Sequence, residues 1–167
     1  MGSRADAGRV GELVDVLLES RQPFDEALLG GGPWQVVWTR GPLLWQAYTR
    51  PGQLLASRQN RASQDLDPAS RRVRNRGELL GAQLFVTADG SYAPQDDSRA
   101  LPKAVDVSVT GGALHAWGRR LPLPIRGKGT FTIAYLDDKV RLFRGGKSLS
   151  LQIRQDALEQ LRQAGRE

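Results

Sequence analysis

The chain has 167 residues, of which 25% are charged, and its formal net charge is +6 at pH 7. This length fits one domain with a core large enough to be stable without covalent cross-links. The absence of cysteine excludes disulfides, thiolate metal sites and cysteine nucleophiles, and the single histidine, His115, excludes a cluster of histidine ligands.

The first predicted element is an amphipathic helix over residues 9–20. Its apolar residues recur at the three- and four-residue spacing of one helical face: Val10, Leu13, Val14, Leu17 and Leu18. The polar face is acidic, and an anionic lipid surface would repel it. We therefore expect the helix to pack against the rest of the domain.

From residue 34 the pattern changes to the two-residue period and the aromatic and β-branched residues of strands. It predicts three strands, over 34–40, 43–49 and 53–57. The polar stretch 58–72 is predicted to be a mobile loop.

The second half of the chain is predicted to be β-structure almost throughout. The expected strands cover 79–87, 105–110, 113–117, 130–135, 140–144 and 149–154. Residues 88–91 carry a hairpin turn signal, and 121–125 must form an edge strand, because its prolines cannot donate to a ladder. A short helix over 157–164 is expected to follow, because Asp156 and Glu159 have the spacing of a capping box.

Eight to ten short strands flanked by two helices predict an all-β dominated, antiparallel fold. The simplest arrangement is a barrel, because closure removes exposed strand edges. We expect an N-terminal segment with the amphipathic helix over 1–28, the barrel over 29–154 and a short C-terminal helix over 155–167. A barrel of about eight strands has room inside for side chains or one small apolar ligand.

The positive charge is concentrated in two segments. Residues 58–76 carry six cations and two anions, and 119–154 carry nine and two. Such surfaces meet nucleic acid, an anionic membrane or an acidic protein, or are simply solvated. Nucleic acid is the least favoured partner, because 58–76 has no aromatic residue on which a base could stack. The candidate partner or membrane surface consists of Arg71, Arg72, Arg74, Arg76, Arg119 and Arg120.

Two motifs resemble one known family. Residues 28–39 (LLGGGPWQVVWT) resemble the L-x-G-x-W-x-L-x-Y-T motif of the plastid lipid-associated proteins, or fibrillins, whose G-x-W is shared by lipocalin-like barrels. Residues 127–146 (GKGTFTIAYLDDKVRLFRGG) resemble that family's G-x-G-x-x-x-x-x-Y-L-D-x-x-x-R-x-x-R-G hairpin. The motifs bracket nearly the whole of 28–154, although Trp38 stands where the family usually has tyrosine.

The resemblance implies a lipocalin-like β-barrel in the chloroplast, associated with thylakoids or plastoglobules. Such a protein binds or organises a hydrophobic lipid, prenylquinone or carotenoid at a membrane surface, has no other cofactor and catalyses no reaction. The alternative is a structural or assembly subunit of a larger plastid membrane complex, with no ligand of its own.

The resemblance also implies roles for individual residues. In lipocalin-like barrels a tryptophan of the first strand closes one end, and an arginine of a late strand packs on its ring. The closure candidates are Gly32 and Trp34 with Arg141 or Arg144. The candidate ligand-facing residues of the barrel interior are Val36, Trp38, Phe85, Val107, Phe131, Ile133 and Tyr135.

No catalytic or metal-binding group is expected. His115 has no acidic partner nearby in sequence, and the aspartate pairs at 96–97 and 137–138 fall in turns, where aspartate bonds to local backbone. Residues 127–130 (GKGT) differ from a phosphate-binding loop because they precede a strand instead of opening a helix.

Overall fold

The computed structural model describes residues 4–41 and 61–164. Its helices are α1 (Arg4–Glu19), a 3-10 helix (Glu26–Leu29) and α2 (Gln155–Ala164). Its strands are β1 (Trp34–Arg40), β2 (Ala62–Asp67), β3 (Arg72–Glu78), β4 (Leu84–Pro94), β5 (Lys103–Ala116), β6 (Arg119–Leu123), β7 (Gly127–Leu136), β8 (Val140–Gly145) and β9 (Ser148–Arg154). The strands predicted over 43–49 and 53–57 lie outside the described residues.

The strands form one antiparallel sheet that closes on itself. Their order is β4-β3-β2-β1-β9-β8-β7-β5-β6, and a further pairing joins β4 to β5. Eight strands therefore make a ring of hydrogen-bonded neighbours, and β6 projects from β5. The prediction of an antiparallel fold dominated by strands, with a helix before and after it, is confirmed. The edge position predicted for the proline-containing segment is also confirmed, because β6 is the last strand in the order.

Strand β5 pairs with two successive neighbours on one of its sides. Its first half, from Lys103 to Val109, pairs with β7, and its second half, from Gly112 to Ala116, pairs with β6. Strand β4 lies along its other side. The segments predicted as two strands over 105–110 and 113–117 are thus one continuous strand, because pairing on both sides outweighs the local flexibility of Gly111 and Gly112.

The predictions for residues 58–72 and 88–91 are wrong, because pairing with neighbouring strands holds parts of both segments in the sheet. The predicted loop 58–72 contains β2, whose Leu66 faces the core while Asp65 and Asp67 lie opposite Arg74 and Arg72 of β3. Such cross-strand pairs of opposite charge stabilise a sheet that a polar sequence alone does not suggest. The predicted turn 88–91 lies inside β4, opposite a bulge in β5 at which Thr110 has no partner in β4.

The inside of the ring is packed at the end where β1, β3, β5 and β8 begin, which we call the closed end. Alternate residues of each strand point to the same face of a sheet. The buried inward-facing cluster consists of Trp34, Leu66, Val73, Tyr92, Val105, Ile133, Leu136 and Phe143, together with Phe24 and Leu29 from the segment before β1. This cluster is the main core of the fold.

Helix α1 covers the outer face of the sheet. Val14, which is 1% exposed, packs in a second cluster with Ala134, Tyr135, Leu142 and Leu149. Asp15 pairs with Arg40 at the end of β1, with 2.7 Å between Oδ1 and Nη1. The predicted packing of this helix against the domain is therefore confirmed.

Candidate functional site

Trp34 and Arg141 close one end of the ring. Trp34 is fully buried, and its Nε1 donates to the carbonyl oxygen of Leu29 at 2.9 Å. The guanidinium carbon of Arg141 lies 4.7 Å from the centroid of the Trp34 ring and 4.4 Å from that of Phe143. Of the two arginines proposed for this contact, Arg141 makes it; Arg144 is exposed, because it follows the inward-facing Phe143 and points to the outer face. Gly32 precedes the closure with φ +117, a conformation that favours glycine.

Arg141 is a buried cation held by neutral groups. Its Nε donates to Gln152 Oε1 at 2.8 Å and its Nη2 donates to Gln64 Oε1 at 2.9 Å. Nη1 has no hydrogen-bond partner in the described part of the chain. Burial lowers the pKa of this guanidinium well below its ordinary value, and the negative charge of Asp65 partly opposes that effect. The aromatic faces and amide oxygens make Arg141 part of the closure.

The opposite end of the ring, where β2, β4, β7 and β9 begin, is lined by glycine. Gly129 and Gly127 lie opposite Val107 and Val109 of β5, on the face that carries Val105 into the core. Gly77 and Gly145 lie on the inner face of β3 and β8 by the same alternation. A Cβ atom built at any of these four glycines meets no heavy atom within 4 Å among the described residues, near neighbours in the chain aside. We call this the glycine end; the space in front of its wall is free of atoms of the described residues.

Aromatic residues form the boundary between the packed and the glycine-lined parts of the interior. The rings of Phe131 and Phe143 stack with their centroids 4.5 Å apart. A cleft of about 550 Å³ lies where the pairing of β5 with β7 ends, and Ser108, Val109, Thr110, Arg126, Gly127 and Lys128 border it. The interior at the glycine end thus combines an aromatic floor with a wall of small residues.

Four of the predicted interior residues do face inward. Ile133 belongs to the inner cluster, and Val107 and Phe131 pack against it. Val36 lies opposite Gln152, which contacts Arg141 inside the ring. Their positions agree with the prediction, and their role as ligand contacts stays a prediction.

The other three predicted interior residues lie elsewhere. Trp38 and Tyr135 belong to the outer cluster beneath α1, because bulges after Val36 in β1 and after Ile133 in β7 shift the following residues to the other face. Phe85 lies opposite Glu78, on the face away from Val73. A single extra residue in a strand reverses the side-chain alternation, and nothing in the local sequence marks it.

His115 belongs to an outer-face stack. The His115 and Phe85 rings are parallel with centroids 4.3 Å apart, and Thr87 Oγ1 lies 3.2 Å from His115 Nε2. Arg76 covers Phe85, with its guanidinium carbon 3.6 Å from the ring centroid. The described ranges contain no group of three or more histidine, aspartate and glutamate residues that could hold a metal ion. These contacts give His115 a packing role.

Sequence reasoning missed a buried lysine at the closed end. Lys103 is 1% exposed; its Nζ donates to the carboxylate of Asp96 and, at 2.9 Å, to the carbonyl oxygen of Ser98. The hydrogen bond that Asp96 accepts from Lys103, followed by those from the hydroxyl and the backbone N–H of Ser98, lowers the pKa of Asp96 to about 2. A cleft of about 540 Å³ lies beside the pair and is bordered by Phe24 and Arg71. The sequence indicates this burial, because Lys103 lies two and four residues before the inward-facing Val105 and Val107, and alternate residues of a strand share a face.

The predicted basic surface divides into two parts. Three of the four arginines of β3 and the preceding turn are paired: Arg71 with Glu26 (3.3 Å), Arg74 with Asp89 (2.5 Å) and Arg76 with Glu78 (3.2 Å). Exposed Arg72 lies opposite Asp67 in the strand register. Arg119 and Arg120 of β6 are exposed and form no ion pair with any residue that the structure describes. Of the six predicted surface residues, Arg72, Arg119 and Arg120 are therefore exposed and form no ion pair with a described residue.

Comparisons of the chain with protein-family models, curated proteins and solved structures returned no match. None of the helices in the described ranges is long and apolar enough to cross a membrane. Fold and site together define an antiparallel β-protein whose strand ring has one packed end and one glycine-lined end.

Proposed function

We propose that the chain is a non-enzymatic, lipocalin-like barrel that binds a hydrophobic small molecule at the glycine end. The observation that carries this proposal is the group of four inward-facing glycines above the Phe131–Phe143 stack. The motif resemblance adds the ligand class, a lipid, prenylquinone or carotenoid, and a plastid location at thylakoid or plastoglobule surfaces.

The chemistry of the glycine end suits such a ligand. Apolar burial contributes about 25 cal/mol for each Å² removed from water, so a long apolar molecule gains affinity without specific polar partners. Glycine and valine walls admit a bulky chain or ring, and Phe131 offers an aromatic face to it. Arg126, an exposed cation in the loop before β7, lies at the glycine end, where a polar head group would emerge.

A second candidate function is a structural or assembly subunit of a larger plastid membrane complex. It is favoured by the closed end, where large side chains and Arg141 already fill the ring. On this view the glycine end is a contact surface for another protein.

The test is ligand retention by the purified protein. It is incubated with a total lipid extract of thylakoids, purified again, and analysed by native mass spectrometry and solvent extraction. Gly129→Leu fills the wall of the glycine end, whereas Thr130→Leu places the same side chain on the exposed outer face one residue away. We expect the natural protein and Thr130→Leu to retain an apolar molecule and Gly129→Leu to retain none.

Equal retention by all three proteins, or by none, would contradict ligand binding at this end. Recovery of the chain from solubilised thylakoids in a complex of defined mass, without bound lipid, would favour the assembly function. Thermal unfolding of each variant establishes that the comparison is made between folded proteins.

A further inference from the structure

An exposed tryptophan occupies the turn between β5 and β6. Trp117 is 70% exposed and has φ +46, and Gly118 has φ +80. A two-residue hairpin turn with positive φ at both positions prefers asparagine followed by glycine. A bulky residue at positive φ is an outlier, and its apolar ring gains nothing from contact with water. Trp117 therefore weakens the isolated fold in two ways, which indicates a use outside it.

Other exposed apolar residues lie near this turn. Leu121 of β6 is 54% exposed, and Leu80 in the turn between β3 and β4 is 38% exposed. The two turns lie side by side, because the backbone N–H of Trp117 donates to the carbonyl oxygen of Gln83 at 2.8 Å. Together these side chains make an apolar tip, which we define as Trp117, Leu121 and Leu80.

The surroundings of the apolar tip are basic. Arg119 and Arg120 follow directly on β6. Among the described loops at the glycine end, the charged residues are all cations: Arg61, Arg126 and Lys147. The loops at the closed end are mixed: they hold aspartate pairs at 96–97 and 137–138 together with Arg71, Arg99 and Lys139. The apolar tip therefore lies at the more positive end of the ring.

We propose that the apolar tip inserts into the head-group region of an anionic lipid bilayer and that Arg119 and Arg120 bind the negatively charged head groups. Tryptophan and arginine are the side chains that anchor proteins at this interface. The apolar tip consists of three residues, whereas a standard protein interface takes about 20–30 residues from each partner. This inference deepens the membrane-surface part of the proposed function and is independent of the glycine-end ligand.

The decisive variant is Trp117→Asn. Asparagine is the residue that this turn prefers, so the variant is expected to fold at least as well as the natural protein. Binding is measured by co-sedimentation with phosphatidylcholine vesicles, with and without phosphatidylglycerol. We expect the natural protein to bind the anionic vesicles, with a blue shift of tryptophan emission, and Trp117→Asn to bind about tenfold more weakly with no shift.

Charge and position are tested by three further variants. Arg119→Gln and Arg120→Gln are each expected to weaken binding about fivefold and to reduce its salt dependence. Leu161→Asn is the matched control, because Leu161 is 62% exposed on α2; its binding should equal that of the natural protein. Equal binding by the natural protein and Trp117→Asn, or binding by neither, would overturn the inference. Ligand retention is measured without vesicles, so its failure is distinguishable from failure of this proposal.

Discussion

The two ends of the strand ring are built from different kinds of residue. At the closed end Trp34, Phe143 and Arg141 fill the interior and contact one another directly. At the glycine end the inward positions of β3, β7 and β8 are occupied by residues without side chains. The same three strands thus contribute large buried side chains at the closed end and glycines at the other end.

Because the two ends differ in packing, we expect substitutions at the closed end to change stability and substitutions at the glycine end to change ligand binding. Packing free energy depends on filled volume, so substitutions at the closed end should change the free energy of unfolding. Substitutions at the glycine end should change what the interior can accommodate and leave the fold nearly unaffected. Each prediction below tests one side of this division.

The largest effect is expected for Trp34→Ala. Removing a fully buried indole leaves a cavity and takes one of the two aromatic faces away from Arg141, so the free energy of unfolding should fall by about 3–5 kcal/mol. Denaturant titration measures this loss. Trp117→Ala is the control, because the same side chain is removed from an exposed turn; its effect should be small. Equal losses in the free energy of unfolding for Trp34→Ala and Trp117→Ala would contradict the role of Trp34 in packing the closed end.

A smaller loss is expected for Arg141→Lys. The guanidinium donates to Gln152 and Gln64 while lying over Trp34, and a lysine amine cannot reproduce that planar geometry. The free energy of unfolding should fall by about 1–3 kcal/mol because buried amide oxygens lose their donors. Arg144→Lys, at an exposed position of the same strand, should be neutral. An unchanged stability of Arg141→Lys would show that charge alone suffices for closure.

The smallest effect depends on pH. Because the folded-state pKa of Asp96 is lowered to about 2, its bond to Lys103 stabilises the fold fully above the unfolded pKa of about 4. That contribution is lost as the pH falls from about 4 to about 2. Thermal unfolding across this range should show a shallower acid loss for Asp96→Asn than for the natural protein. Asp97→Asn is the control. Its thermal stability should fall with decreasing pH as that of the natural protein does.

Much of the fold follows from residue patterns. The two-residue period and the prolines of 121–125 predicted strands and an edge, and both are present. The errors occur where pairing with another strand decides the outcome: the polar segment 62–67 becomes β2 because β3 pairs with it along its whole length and β1 pairs with part of it. The apparent turn at 88–91 continues as a strand because β3 and β5 hold it from both sides.

The interior could be predicted only up to the first bulge in each strand. Val36 and Ile133 face inward as expected, and Trp38 and Tyr135 do not, because one extra residue reverses the alternation between them. The choice between Arg141 and Arg144 needed the register of β8. The glycine end could not be predicted from sequence, because a glycine's position on the inner face depends on strand pairing.

The most direct test of the division between the two ends is a pair of small-to-large substitutions measured by denaturant titration. Val105→Phe enlarges a fully buried residue of the closed end, and Gly129→Leu enlarges an inward position of the glycine end. We predict that Val105→Phe lowers the free energy of unfolding by about 1–3 kcal/mol through overpacking. Gly129→Leu should leave it unchanged or raise it, because a strand glycine is replaced without a clash. A comparable loss in both variants would contradict the account, because it would mean that the glycine end is as tightly packed as the closed end.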